Sequence, residues 1–342
     1  MDDLKEIVSP LLNWYAAHKR DLPWRGSPDA YRVWVSEIML QQTRVEAVKG
    51  YYARFLAAFP TVYDLANAPE DRLLKLWEGL GYYSRARNMQ RAAKIVSERY
   101  HGEFPREEAD LLALPGIGDY TAGAIRSIAF GIKSPAVDGN VLRVLARHAG
   151  DDAPQDTEIA KKSAKERLAE VYPNEAGAFT QALMDLGATV CVPNGVPKCG
   201  DCPLKSGCAS YKDGKQLFRP VKSPKKARKV QDVTVFLLKS GDLYAVEKRQ
   251  EKGVLSGLYQ FPAVYGEKRV EDAAAHLASL GGKELVPLYE KHKKHVFTHI
   301  EWRMTAFCFT AAAPFGPYLW VTGDEVTGSI GLPSAFRSFF PF

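Results

Sequence analysis

The sequence predicts a mostly α N-terminal region followed by a separate, smaller α+β domain, and three observations predict it. Over residues 1–212 apolar side chains return at spacings of three and four, as in Trp34 and Ile38, Leu73 and Leu76, Leu142 and Leu145. Residues 213–231 then turn to Lys, Pro, Gly and Ser, a composition that buries nothing and reads as a basic connector. Within 232–342 the pattern changes to alternation: Val233-Thr234-Val235-Phe236-Leu237-Leu238 and Leu243-Tyr244-Ala245-Val246 form a candidate strand pair, 271–280 a short helix, and 295–310 a long strand or hairpin.

Composition sets the class. A chain of 342 residues, 46% hydrophobic and 25% charged, is globular rather than disordered or fibrous, and is long enough for more than one core. No run of about eighteen apolar residues is present, so no membrane-spanning helix is expected. The acidic start Met1-Asp2-Asp3 lacks the basic-then-apolar pattern of a secretory leader, so a cytoplasmic, nucleoid-associated protein is expected. The formal charge is +6, but eight Lys/Arg against one Asp between Lys212 and Lys229 supply +7, which leaves −1 for the remainder. Nucleic-acid binding would therefore depend on local devices plus this stretch.

In chain order, Val33-Trp34-Val35-Ser36-Glu37-Ile38-Met39-Leu40-Gln41 reads as a helix that places Glu37 on a face with Val33, Leu40 and Gln41. A carboxyl among apolar neighbours can hold a proton near neutral pH; a solvated helix position is the ordinary alternative. Gly79-Leu80-Gly81-Tyr82-Tyr83-Ser84-Arg85-Ala86-Arg87-Asn88 joins glycines, tyrosines and arginines, in which Tyr82 could fill the gap left by an extruded base while Tyr83 suits a core. Leu114-Pro115-Gly116-Ile117-Gly118 lies between helical stretches 107–113 and 119–130. Gly116 and Gly118 around one apolar residue allow a tight hairpin whose N–H groups could hold a phosphate, although an ordinary helix-helix turn has the same spacing. Asp138, followed by Gly139, taken alone is an Asx turn.

Four of the five cysteines, Cys191, Cys199, Cys202 and Cys208, fall within eighteen residues. In a reducing compartment that clustering points to metal. Zinc more often shows two short pairs, whereas the uneven gaps of seven, two and five, with Pro203 after the third cysteine, suit a cubane iron-sulfur cluster. Cys308 reads as core. His292, His295 and His299 would need a helix to converge on a metal, and the alternation around them argues strand.

The hairpin matches the LPG-hydrophobic-G core of the helix-hairpin-helix DNA glycosylases, and Val137-Asp138-Gly139-Asn140-Val141 matches their acidic segment. Leu22-Pro23-Trp24, Ser36-Glu37-Ile38-Met39-Leu40-Gln41-Gln42-Thr43 and the segment from Gly79 to Asn88 resemble the MutY adenine DNA glycosylases of that family, and with the cysteines and the C-terminal domain the resemblance covers nearly the whole chain. It implies a fold of two helical subdomains with a [4Fe-4S] loop over 191–208 and a Nudix-like C-terminal domain. It implies removal of adenine opposite 8-oxoguanine or guanine in duplex DNA by a monomeric enzyme. By resemblance Glu37 is the acid at the base, Asp138 the stabiliser or nucleophile at the sugar, and Tyr120 and Asn140 orient the sugar and Asp138. Gln42, Thr43, Leu80, Tyr82, Gly116 and Gly118 would contact DNA, and Thr298 and His299, in Phe297-Thr298-His299, the 8-oxoguanine. The family usually has six residues in the first cysteine gap, where this chain has seven. Strand-cutting relatives carry a lysine where this chain has Tyr120, which implies a monofunctional enzyme. The C-terminal domain lacks an Arg-Glu-x-x-x-Glu-Glu run, so no pyrophosphatase chemistry is expected of it. The rivals are a pyrimidine-damage glycosylase and lyase of the same fold and a non-catalytic iron-sulfur protein that binds damaged DNA.

Overall fold

The computed structural model describes residues 4–26, 29–224, 227–249 and 253–340. Two compact units make up the chain: residues 1–68 with 87–224, and residues 69–86 with 225–342.

The first unit is helical. Its elements begin with α1 (Lys5–His18), α2 (Ala30–Leu40), α3 (Val45–Ala58) and α4 (Val62–Ala66). After α5 (Glu70–Leu76), which belongs to the second unit, come α6 (Ser84–Arg99), which lies in the first unit from Arg87 on, α7 (Glu108–Leu112), α8 (Asp119–Ala124), α9 (Gly139–Ala149), α10 (Glu158–Ala169), α11 (Ala176–Thr189) and α12 (Ala209–Lys212). α2 starts where the Asp29 carboxylate accepts the Arg32 N–H, and from Val33 to Met39 every residue is buried. A helix buried on all sides lies inside a layer of others, and α2 packs against α3 and α8. α1, α9, α10 and α11 share a core that includes Leu11, Val141, Leu145, Leu168, Phe179 and Leu186, and the Cys191 and Cys202 side chains pack on it.

Two expectations are corrected in this unit. The helix expected over 119–130 begins at Asp119 but opens into a π turn over Ile125–Ala129. The connector does not bury nothing: Arg219 is only 4% exposed. Its guanidinium pairs with Asp152 at 2.8 Å and Asp213 at 2.7 Å, and its carbonyl accepts the Arg147 Nε–H at 2.8 Å. A guanidinium can be buried when its forked donors all find acceptors.

The second unit is built on a sheet of β1 (Lys229–Ser240), β2 (Leu243–Lys248), β3 (Tyr259–Gln260), β4 (Ala263–Tyr265), β5 (Val286–Val296), β6 (Ile300–Thr310) and β7 (Leu319–Thr322). Its order is β3-β2-β1-β6-β5, with β4 also on β1 and β7 on β2. β1 and β6 run parallel from Lys229 beside Ile300 to Lys239 beside Thr310, and β5 and β6 form a hairpin through Phe297-Thr298-His299. One face carries Phe236, Leu238, Phe307 and Phe309 against α13 (Val270–Ser279). The other carries Val233, Val235 and Trp302 against α14 (Gly323–Gly328) and α15 (Ser334–Arg337), with Phe336 and Phe339 fully buried. Alternation along β1 thus serves two cores. Residues 69–86 attach to this unit: Lys75 Nζ donates to the Thr327 carbonyl at 3.1 Å, and Arg337 pairs with Glu78 at 2.9 Å.

Candidate active site

Glu37, Tyr120, Asp138, Asn140, Gln42 and Thr43 all line one cavity of about 630 Å³ in the first unit. Glu37 projects from buried α2 and is 5% exposed. Burial pushes its carboxyl up to about 7, helped by the nearby Asp138 charge and opposed by the Tyr120 hydrogen bond and Arg25. The Tyr120 hydroxyl, on the first turn of α8, donates to Glu37 Oε2. Burial, then the Glu37 charge, holds the phenol well above its ordinary value, so Tyr120 is a neutral donor.

Asp138 caps α9, accepting the N–H groups of Asn140 at 2.9 Å and Val141 at 2.8 Å, while Asn140 Nδ2 donates to its second oxygen at 2.7 Å. Burial raises the Asp138 pKa, and these three hydrogen bonds with the Arg143 charge pull it back. The Asx turn is therefore real and is also what steadies the carboxylate. Arg143 in turn donates to Asn140 Oδ1 at 2.8 Å and to the Gly187 and Cys191 carbonyls at 2.6 and 2.7 Å. A close approach sets the segment's position: a Cβ on Gly123 of α8 would lie 2.3 Å from the Pro135 carbonyl oxygen.

The hairpin between α7 and α8 is pinned by buried Leu114 and Ile117. Gly116 has φ +81, and Gly118, the N-cap of α8, has open space where a Cβ would stand. Neither glycine lines the cavity. Gln42 is exposed beyond the end of α2 with φ 58, a left-handed backbone that non-glycine residues rarely adopt. In the second unit Tyr82 shares that feature with φ 47, is 47% exposed, and shares a hydrogen bond of 3.1 Å with Thr298 Oγ1. Tyr83 is buried, in keeping with the core position expected of it, and so is Leu80, whose carbonyl accepts from Arg85 at 3.0 Å. Thr298 and His299 are exposed at the tip of the β5–β6 hairpin, where the His299 carbonyl accepts the Lys229 N–H at 3.0 Å.

Sequence reasoning missed a buried ion-pair cluster on the cavity wall. Asp185 of α11, fully buried, takes a two-pronged pair from Arg25, both contacts 2.7 Å, and another from Arg20 Nε at 2.7 Å. Burial opposes its charge, but Arg25 and Arg20 outweigh that and hold the carboxyl below the usual range. Arg20, Arg25, Gln181 and Met184 line the cavity. The only signal was Arg25 following Leu22-Pro23-Trp24; its partner is 160 residues away.

The four clustered cysteines form no disulfide, and each is partly buried. Burial pushes the Cys202 thiol up to about 11, and the charges of Cys191, Cys208 and Cys199 add to the rise. Arg147 Nη1 lies 3.3 Å from Cys191 Sγ. Among the described residues no three His, Cys, Asp or Glu side chains gather closely enough to hold one metal ion. Four cysteines so placed over 191–208 are compatible with an iron-sulfur loop.

The family model of the HhH-GPD superfamily base excision DNA repair protein matches residues 35–170, and that of the NUDIX domain matches 233–341. Over its whole length the chain is 34% identical to the adenine DNA glycosylase of Arabidopsis thaliana and spans 65% of that protein. Over 74% of its length it is 40% identical to the adenine DNA glycosylase of Buchnera aphidicola subsp. Baizongia pistaciae, of which it covers 72%. Among solved structures it is similar to a thermostable thymine-DNA glycosylase, with 31% identity and a TM-score of 0.56 over 61% of this chain and 96% of that one.

Proposed function

The chain belongs to the adenine DNA glycosylase family, enzymes of base-excision repair, and from that premise we propose that it hydrolyses the N-glycosidic bond of adenine opposite 8-oxoguanine or guanine, with the base flipped from the duplex and the strand left uncut. The observation that carries this reading is the meeting of a protonatable, buried Glu37 and a hydrogen-bonded Asp138 in one cavity.

Base loss needs a proton for the departing adenine and negative charge near the developing oxocarbenium sugar. Glu37, whose pKa sits at about 7, is poised as the proton donor, and the Tyr120 hydroxyl fixes its carboxyl. Asp138 supplies the charge at the sugar, and hydrogen bonds from Asn140 and the α9 N–H groups favour its ionised form against the burial that opposes it. Gln42, Thr43, Tyr82, Gly116 and Gly118 would engage the duplex; buried Leu80 would support Tyr82 from behind. Thr298 and His299 would read the 8-oxoguanine. Cys191, Cys199, Cys202 and Cys208 would hold a [4Fe-4S] cluster, which when bound would rigidify a loop presenting Lys198 and Lys205. We place the enzyme in the cytoplasm on nucleoid DNA, as a monomer; among the described residues no helix is long and apolar enough to cross a membrane.

One observation favours asking about lyase activity: Lys161 lines the cavity, though it pairs with Glu158 at 2.6 Å. The deciding experiment measures base release from a panel of mispaired duplexes, with and without alkali. Adenine release opposite 8-oxoguanine, abolished by Glu37→Gln and Asp138→Asn while duplex binding survives, is the expected result. Strand cleavage without alkali, or borohydride trapping at Lys161 at the level of a true lyase, would overturn monofunctionality. Release of pyrimidines alone would overturn the substrate.

A further inference from the structure

Residues 232–342 contain twelve Lys or Arg and twelve Asp or Glu, so this part of the chain has no net formal charge. Its cations are nevertheless gathered. Lys291-His292-Lys293-Lys294-His295 has no acid in it, and all five residues lie on β5. β5 ends the sheet, paired on one side with β6, and every residue of it except His295 is exposed. A long open edge invites pairing with another chain, and lysines are one ordinary remedy. The strand's course adds a second reason for them. β5 runs directly into the Phe297-Thr298-His299 turn, and cations continue around it: Arg228 donates to the Phe297 carbonyl at 3.2 Å, and Arg303, 65% exposed, stands in register beside Lys294. One carboxylate, Glu301, serves both Lys294, at 2.7 Å, and Arg303, at 3.9 Å, Glu290 serves His292 at 2.9 Å, and Asp232 and Glu267 line the groove beside Arg303, so the excess of positive charge lies along β5 itself, where Lys291, Lys293 and Lys294 stand against Glu290 alone.

We propose that the free edge of β5 is a phosphate-binding tract for duplex DNA. It rests on the function proposed above and extends the DNA contact from the hairpin tip along the strand. Successive side chains of a strand leave on opposite faces, so a sugar-phosphate chain laid along the edge meets Lys291 from one face and Lys294 from the other, both long enough to reach around it. Lys293 is held differently, donating to the Ser338 carbonyl at 2.8 Å against the Phe339 ring, and supports the fold. A second copy of the chain would bring the same cations to the edge and be repelled. An acidic polymer is attracted, and contacts to phosphate impose no sequence preference.

The test uses the full chain with Lys291→Ala and Lys294→Ala combined, and measures affinity for an A:8-oxoguanine duplex and an undamaged duplex across a salt series. Each lost phosphate contact removes about 0.9 from the slope of log affinity against log salt, so a drop of about 1 to 2 is expected, equal for both duplexes. The pair Lys291→Arg and Lys294→Arg should restore the slope, and the two lysines changed to Glu should lower it further. An unchanged slope overturns the proposal. So does unchanged DNA affinity with new self-association, which would make the lysines guards of the edge alone. Failure of the wild-type chain to release adenine would instead count against the proposed function, and the salt series would still decide the tract.

Discussion

Burying Glu37 costs the fold stability, a cost that the proposed function explains. Its pKa moves from an ordinary 4.5 to about 7 on burial. Below about pH 4.5 both folded and unfolded chains hold the proton and the site costs nothing. As pH rises towards 7 the unfolded chain releases it first, so stability falls through that window and the loss is complete above about 7. Glu37→Gln should therefore unfold at a higher temperature than wild type at pH 8, with little difference at pH 4.5, while base release is lost. Thermal scans at the two pH values check it, and equal melting at pH 8 would refute the burial argument. Asn140 acts with the opposite sign on its neighbour. Without its 2.7 Å hydrogen bond, Asp138 in Asn140→Ala should hold its proton to higher pH. The acid limb of the single-turnover profile should shift upward, an effect that a merely weakened fold would not produce.

At the scale of elements, the candidate active site is a matter of how closely α8 approaches the segment before α9. Gly123 permits that contact, since a Cβ there would meet the Pro135 carbonyl at 2.3 Å and the Ala136 Cα at 3.1 Å. Backbone on both sides cannot yield by a rotamer change. Gly123→Ala should push residues 135–138 outward, costing about 1 to 3 kcal/mol as overpacking does. Displacing Asp138, the carboxylate proposed to act at the sugar, by a fraction of an ångström should also slow base release at least tenfold, given that about 1 Å can cost a hundredfold. Denaturant melts and single-turnover rates measure the two effects, with duplex binding expected to persist because the hairpin at 114–118 lies at the other end of α8. A variant as active as wild type would show that the segment can relax.

At the scale of the whole molecule, residues far apart in sequence meet in one compact unit. Tyr82 and Thr298, 216 positions apart, share a hydrogen bond within the second unit, and Lys75, Glu78 and Arg337 tie the same two stretches together. Thr298→Ala removes one hydroxyl, worth about 0.5 to 1.5 kcal/mol net. The preference for adenine opposite 8-oxoguanine over adenine opposite guanine should then fall by a factor of about two to ten. The ratio of single-turnover rates on the two duplexes gives the answer. An unchanged ratio would leave 8-oxoguanine recognition to residues such as Gln42 and Thr43.

What the sequence determined by itself is what short-range chemistry determines. Asp-Gly at 138–139 predicts a turn and is one, with the carboxylate capping α9. Two glycines about Ile117 predict a tight turn between helices, and alternation in 233–246 predicts strands that do pair. Motifs of this kind depend on residues a few positions apart, so spacing suffices to read them. Tertiary structure decided the rest. Glu37 taken alone reads as a solvated helix position until α3 and α8 close over it, because desolvation comes from atoms supplied by distant segments. Arg25 is an ordinary basic residue until Asp185 meets it, and Arg219 an ordinary linker charge until Asp152 does. The grouping of residues 69–86 with 225–342 likewise leaves no trace in local pattern, for long-range packing is chosen by complementary surfaces and not by neighbours in the chain.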